Sequence, residues 1–221
     1  MDWSFSDLVE RIIERFKAKQ FSARDRQLLR YVLELDKLYS DLELIPTELT
    51  MAVRNYYAKP EHWPLKKFHT TYHPENFAFR VHAYREKTFR FINLALKLGV
   101  PEKMDNPIKQ ILLRLKGHPL PKLHRLLVEF SEHETIRKWV KRRNTFVHAI
   151  PISEVSSLSS AQVVLFDVLR KDGVFEDEWA VLQESEEINA YCERLAETMG
   201  ATLGYLSSFR RRLANQLPRI T

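Results

Sequence analysis

From Ile188 to Leu213, a mostly apolar series recurs in alternating steps of four and three: Ile188, Cys192, Leu195, Met199, Thr202, Leu206, Phe209 and Leu213. Such steps follow the 3.6-residue turn of a helix and do not fit the two-residue alternation of a strand. A helix with so long an apolar side must bury it against similar elements. The same rhythm marks Leu28, Val32, Leu35, Tyr39 and Leu42, and then Phe77, Val81, Tyr84, Thr88, Phe91, Ala95 and Leu98. Beside this last row runs another, Ala78, His82, Arg85, Phe89, Ile92 and Leu96. Two adjacent rows make a wide face and predict a central helix.

These patterns predict an all-α fold. With 5 glycines and 10 prolines in 221 residues, the chain is too poor in turn residues for an all-β alternative. The expected architecture is an up-and-down helical bundle forming a single domain over 1–221. Its core helices are expected near 22–45, 74–98, 121–149 and 185–216. Pro46 is expected to end the helix that Ser22 opens, and a short helix is expected around Thr47–Tyr57. Pro60, Pro64 and Pro74 predict a long loop over 59–74. The 121–149 stretch reads as one helix or as two broken near Ser131–Glu134. Residues 151–183 are ambiguous, since AQVVLFDV and KDG suit a hairpin while a helix also fits. Ala196, Gly200 and Gly204 lie four apart and would let a second backbone approach, first as a core contact and alternatively at a subunit interface.

The single cysteine, Cys192, excludes an intramolecular disulfide and an all-cysteine metal site. The opening MDWSFSDLVERIIERF lacks the pattern of a secretory leader, and no run of about 18 uncharged apolar residues is present. The expectation is a soluble, cytoplasmic protein with no membrane partner. A formal net charge of +6 favours a polyanionic partner. Arg210, Arg211 and Arg212 read as a solvated helix end.

The chemistry concentrates in Ile136–Ile150, IRKWVKRRNTFVHAI. On a helix, Ile136, Val140, Arg143, Val147 and Ile150 share a row, so Arg143 starts from an otherwise aliphatic ridge. An arginine there must reach acceptors or water. The next row carries Arg137, Lys141, Asn144 and His148. Arg143 and His148 are five apart, about 140° around the helix, so a second chain would bring their functional groups together more easily than one chain alone. Arg137, Lys138, Lys141, Arg142 and Arg143 make the densest positive patch and suit phosphate contact. For Lys138 and Arg142, a simple solvated face is the competing reading.

Arg143-Asn144-Thr145-Phe146-Val147-His148 resembles the signature of the HEPN superfamily (higher eukaryotes and prokaryotes nucleotide-binding): Arg, often a polar residue, four to six intervening residues in all, then His, late in a small all-α domain. Many members are dimeric, metal-independent ribonucleases whose paired motifs meet at the dimer interface. Others are binding or toxin–antitoxin modules. The resemblance implies that Arg143 and His148 are catalytic, that Asn144 orients His148 or contacts phosphate, and that RNA and a second copy are partners, with an antitoxin-type protein as a further partner; Arg142, Lys141 and Arg137 of the basic patch are the auxiliary phosphate-binding candidates. It implies no cofactor. The tyrosine that some family toxins carry two residues after the histidine is Ile150 here.

His82 and Arg85, on the inner row of the central helix, are secondary cleft candidates. His69 and His73 have metal-ligand spacing only on a helix, which Pro74 disfavours at His73. No metal is expected.

Overall fold

The computed structural model describes residues 6–56, 63–101, 103–149 and 185–216. The fold is all-α: among these residues there are seven helices and no strand. They are α1 (Ser6–Lys17), α2 (Ala23–Tyr56), α3 (Trp63–Ala95), α4 (Pro107–Lys116), α5 (Pro121–Glu132), α6 (Glu134–Ala149) and α7 (Ser185–Ala214). The ambiguous 151–183 stretch lies outside the described residues. None of the described helices is long and apolar enough to cross a membrane.

Two compact units share the chain. One is built from 1–42, 80–137 and 202–221, the other from 43–79 and 138–201.

In the first unit, Ser22 and Asp25 start α2 with a capping box. The Asp25 amide donates to the Ser22 hydroxyl (3.1 Å), and the Ser22 amide donates to the Asp25 carboxylate (3.0 Å). Burial alone would raise the Asp25 carboxyl. The Ser22 hydrogen bonds, with the charges of Arg15 and Arg24, nevertheless hold it below its ordinary value. Arg24 also donates to the Ala95 carbonyl (2.6 Å), satisfying an acceptor that the end of α3 leaves open. The core centres on Phe130 of α5. It stacks on Phe209 of α7 at 3.9 Å between ring centroids, with Phe89 and Tyr84 of α3 and Tyr205 of α7 around it. Arg210 corrects the reading of 210–212 as a solvated end. It is 7% exposed, bonds Asp36 at 2.6 Å and lies 4.1 Å over the Tyr39 ring. Leu206, Arg210 and Leu213 keep the four-three step, which carries the arginine inward. Arg212 forms a two-bond pair with Glu129 of α5 (2.6 and 3.1 Å).

In the second unit, Phe77 of α3 packs on Trp139 of α6 at 4.8 Å. Cys192, Leu195 and Met199 of α7 and Ile45 and Leu49 of α2 are buried.

Two proline expectations are corrected. Pro46 does not end α2, and residues 63–74 are not loop but the first part of α3. Pro64 is the second residue of α3, where the missing N–H has no intrahelical partner in any case. Pro46 and Pro74 each forfeit one backbone bond inside helices of 34 and 33 residues. The apolar row nevertheless runs on across Pro46, since Leu42, Ile45, Leu49 and Ala52 are all buried, and burial of that row outweighs one lost bond. In the 121–149 stretch, His133 takes an extended backbone (φ −55°, ψ 128°) and separates α5 from α6.

Among the described residues, nothing packs on the Gly200 and Gly204 positions of the Ala196–Gly200–Gly204 line. A Cβ added at Gly200 or Gly204 would meet no atom of the described residues within 4 Å. Gly200→Ala and Gly204→Ala are therefore each expected to stabilise the chain by about 0.5–1 kcal/mol through helix propensity, checked by urea unfolding. Loss of stability at either site would mean that another surface occupies the line.

Candidate functional site

Helix α6 divides by face. Ile136 and Trp139 are buried, whereas Arg137, Lys138, Lys141 and Asn144 are exposed. Between these extremes, Arg142 and Arg143 are half-buried. The Arg142 guanidinium carbon lies 5.8 Å from the Trp139 ring centroid, and that of Arg143 lies 5.8 Å from the Phe79 ring of α3. These are cation–π distances, and each ring holds its arginine against the protein surface.

Arg143 Nη1 donates to Asn144 Oδ1 at 3.1 Å. Among the described residues no carboxylate pairs with Arg143, and its Nε is sealed without a hydrogen-bond partner. Among the described residues, the Arg143 charge is not neutralised by an acid. Asn144, expected to orient His148 or to touch phosphate, accepts from Arg143. His148 lies within the helical span of α6, and its side chain lies outside the described residues.

The structure adds Glu75 to this cluster. Glu75 and Phe79 are four apart on α3 and so share a face. Phe79 meets Arg143, and the charge of Arg142 acts on Glu75. Burial pushes the Glu75 carboxyl up to about 7, with Arg142 pulling the other way. Its Oε1 is sealed and has no hydrogen-bond partner. In the sequence, Pro74 makes Glu75 look like an ordinary first-turn acid. The influence of Arg142 on it depends on the packing of α3 with α6, which the sequence alone does not show.

A proton is held more tightly by Glu75 in the folded chain than in the unfolded one, where the ordinary value is 4.5. Its contribution to stability is thus complete below pH 4.5 and is lost as pH rises towards 7. Glu75→Gln, a neutral mimic of the protonated form, is expected to stabilise the chain by about 2 kcal/mol at pH 8 and by little at pH 4. Chemical unfolding at the two pH values checks this.

His82 and Arg85 lie on the later part of α3, in the other unit. His82 Nε2 is 3.9 Å from Glu86 Oε1. Burial lowers the Arg85 pKa, opposed by the charge of Glu86. Arg137 also falls in that unit, whereas Lys141, Arg142, Arg143 and Asn144 fall in the second. His73, contrary to expectation, is helical and buried, with Nδ1 3.8 Å from Glu48 of α2, too far for a hydrogen bond. Among the described residues no group of three or more His, Cys, Asp or Glu is placed to hold a metal ion.

No curated protein and no solved structure matches the chain. A family model does. Residues 51–206, which include α6 with its Arg143–His148 motif, match the family described as Cthe2314-like HEPN, and the chain belongs to that HEPN family.

Proposed function

We propose that this chain is a metal-independent endoribonuclease that works as a homodimer, with Arg143 and His148 as its catalytic residues. The observation that carries the reading is Arg143: it is half-buried on Phe79, oriented by Asn144 and left without an acid partner among the described residues. A guanidinium held this way is pre-organised for an external anion. Membership of a HEPN family supports a nucleotide-handling role.

The chemistry uses the substrate's own nucleophile. The RNA 2′-oxygen attacks the adjacent phosphorus, the bond to the 5′-oxygen breaks, and the products carry a 2′,3′-cyclic phosphate and a 5′-hydroxyl. His148 takes the 2′-hydroxyl proton or supplies one to the leaving 5′-oxygen, with water making the other transfer, since an imidazole serves either as base or as acid. Arg143 counters the negative charge that builds on the non-bridging oxygens. The exposed Arg137, Lys138 and Lys141 contribute sequence-independent attraction for the RNA backbone.

The test incubates end-labelled RNA with the protein in excess chelator, beside His148→Ala and Arg143→Ala. Wild type is expected to give fragments ending in 2′,3′-cyclic phosphate, and each variant to cut at least about 100-fold more slowly. Salt-sensitive RNA binding with no fragments would establish the alternative, a binding module that does not cut. Neither binding nor cleavage would leave a protein-interaction role of the toxin–antitoxin kind.

A further inference from the structure

We propose that Phe79 of α3 is a base-stacking position: a nucleobase adjoining the phosphate held at Arg143 lies flat on the exposed part of its ring. The inference rests on Arg143 receiving an RNA phosphate, as argued above.

The helix rhythm places Phe79 for this. Along this stretch of α3, His73, Pro74, Phe77, Ala78 and Val81 make the inner side and are buried. Phe79 falls on the opposite side of the helix and is 41% exposed. Single exposed apolar side chains are common on protein surfaces. What sets this one apart is its neighbour, the Arg143 guanidinium, whose carbon lies 5.8 Å from the ring centroid. Both residues belong to the second unit. The guanidinium leaves ring surface open, so a flat apolar group and an anion can be met in one place. A nucleotide offers that combination, because a single ribose joins its base to its phosphate. Aromatic rings and guanidinium planes are the surfaces on which unstacked bases are held.

The surroundings favour a nucleic-acid strand over a protein. The same side of α3 carries a second exposed ring, Tyr72 (44%), two turns earlier and about 10 Å along the axis. Glu75 and Asn76 lie between the two rings on that side. The exposed apolar surface is thus interrupted, whereas a protein contact centres on a continuous apolar core. A protein seated on Phe79 would also have to strip water from Arg143, which no acid of the described residues neutralises. A strand brings the missing anion with it. Exposed Lys138 and Lys141 and half-buried Arg142, in the same unit as Phe79, add charge of the matching sign. Phe79 touches the base and not the reacting atoms, so it contributes to binding rather than to chemistry.

The test measures binding of the full chain to two probes of equal length and charge: a 2′-O-methyl oligoadenylate, which cannot be cleaved by this route, and an abasic 2′-O-methyl oligomer. Wild type is expected to prefer the oligomer with bases by about tenfold. Phe79→Leu, which stays apolar but loses the flat face, is expected to cut that preference to about twofold or less, and Phe79→Trp to keep it. No preference in wild type, or one that Phe79→Leu leaves unchanged, overturns the proposal while leaving the nuclease reading intact. Absence of binding to either probe overturns both. Self-association of the chain that Phe79→Leu abolishes, with no base effect on affinity, assigns the ring to a second copy and overturns the proposal. Photo-crosslinking of wild type to a 2′-O-methyl oligonucleotide carrying 5-iodouracil gives a second readout that needs no variant. A crosslink mapped to Phe79 supports the proposal, and crosslinks confined to other residues overturn it.

Discussion

Replacing Phe130 with alanine is expected to destabilise the chain by about 3–5 kcal/mol, the largest loss for any single side chain described above. Phe130 has no solvent exposure and sits among four other rings, stacked on Phe209 at 3.9 Å and edge-on to Tyr84. Alanine forfeits the transfer energy of the ring and leaves a cavity that rigid aromatic neighbours from α3 and α7 fill poorly. The midpoint of thermal unfolding is expected to fall by roughly 10 °C. Leu113→Ala on α4 provides the contrast: the side chain is 55% exposed, and the change is expected to cost no more than about 0.5 kcal/mol. Urea unfolding of the two variants beside wild type measures both values. Similar losses from Phe130 and Leu113 would mean that the aromatic cluster is not the centre of the first unit.

Arg143→Lys is expected to reduce RNA cleavage by about 100-fold or more, although the charge is kept. Arg143 donates to Asn144 while its planar guanidinium lies against the Phe79 ring. A lysine ammonium is a compact, strongly hydrated charge that does not reproduce the flat contact or the forked donor geometry. The loss is expected in the single-turnover rate and not in RNA affinity, because attraction to the backbone comes from several cations of α6. A lysine variant that cuts as fast as wild type would show that charge alone suffices and would remove the argument from geometry.

The helices were legible in the sequence because their buried rows are long. Leu28, Val32, Leu35, Tyr39 and Leu42 are all buried, as are Phe77, Val81, Tyr84, Thr88, Phe91 and Ala95 and the α7 row from Cys192 to Leu213. The ends of these helices were less legible. Proline is a local signal worth about one hydrogen bond and a steric clash, and at Pro46 it competes with a row of Leu and Ile burial that local rules do not weigh. The inward arginine at 210 was hidden for a related reason: its partners Asp36 and Tyr39 lie far away in the sequence. At the site, the stretch from Arg143 to His148 was visible as a family resemblance, carried by the asparagine after Arg143 and by its helical, basic setting, and the matched residues 51–206 include it. Glu75 was not visible, because its role depends on α3 running alongside the basic turn of α6.

The pairing of Trp139 with Phe77 has an optical consequence. Its indole is 3% exposed, rests on an apolar ring and carries the Arg142 guanidinium near its face. Fluorescence from this residue should be blue-shifted and sensitive to any movement of that cation, so α6 carries an intrinsic, label-free reporter of anion arrival about two and a half helical turns before the motif histidine.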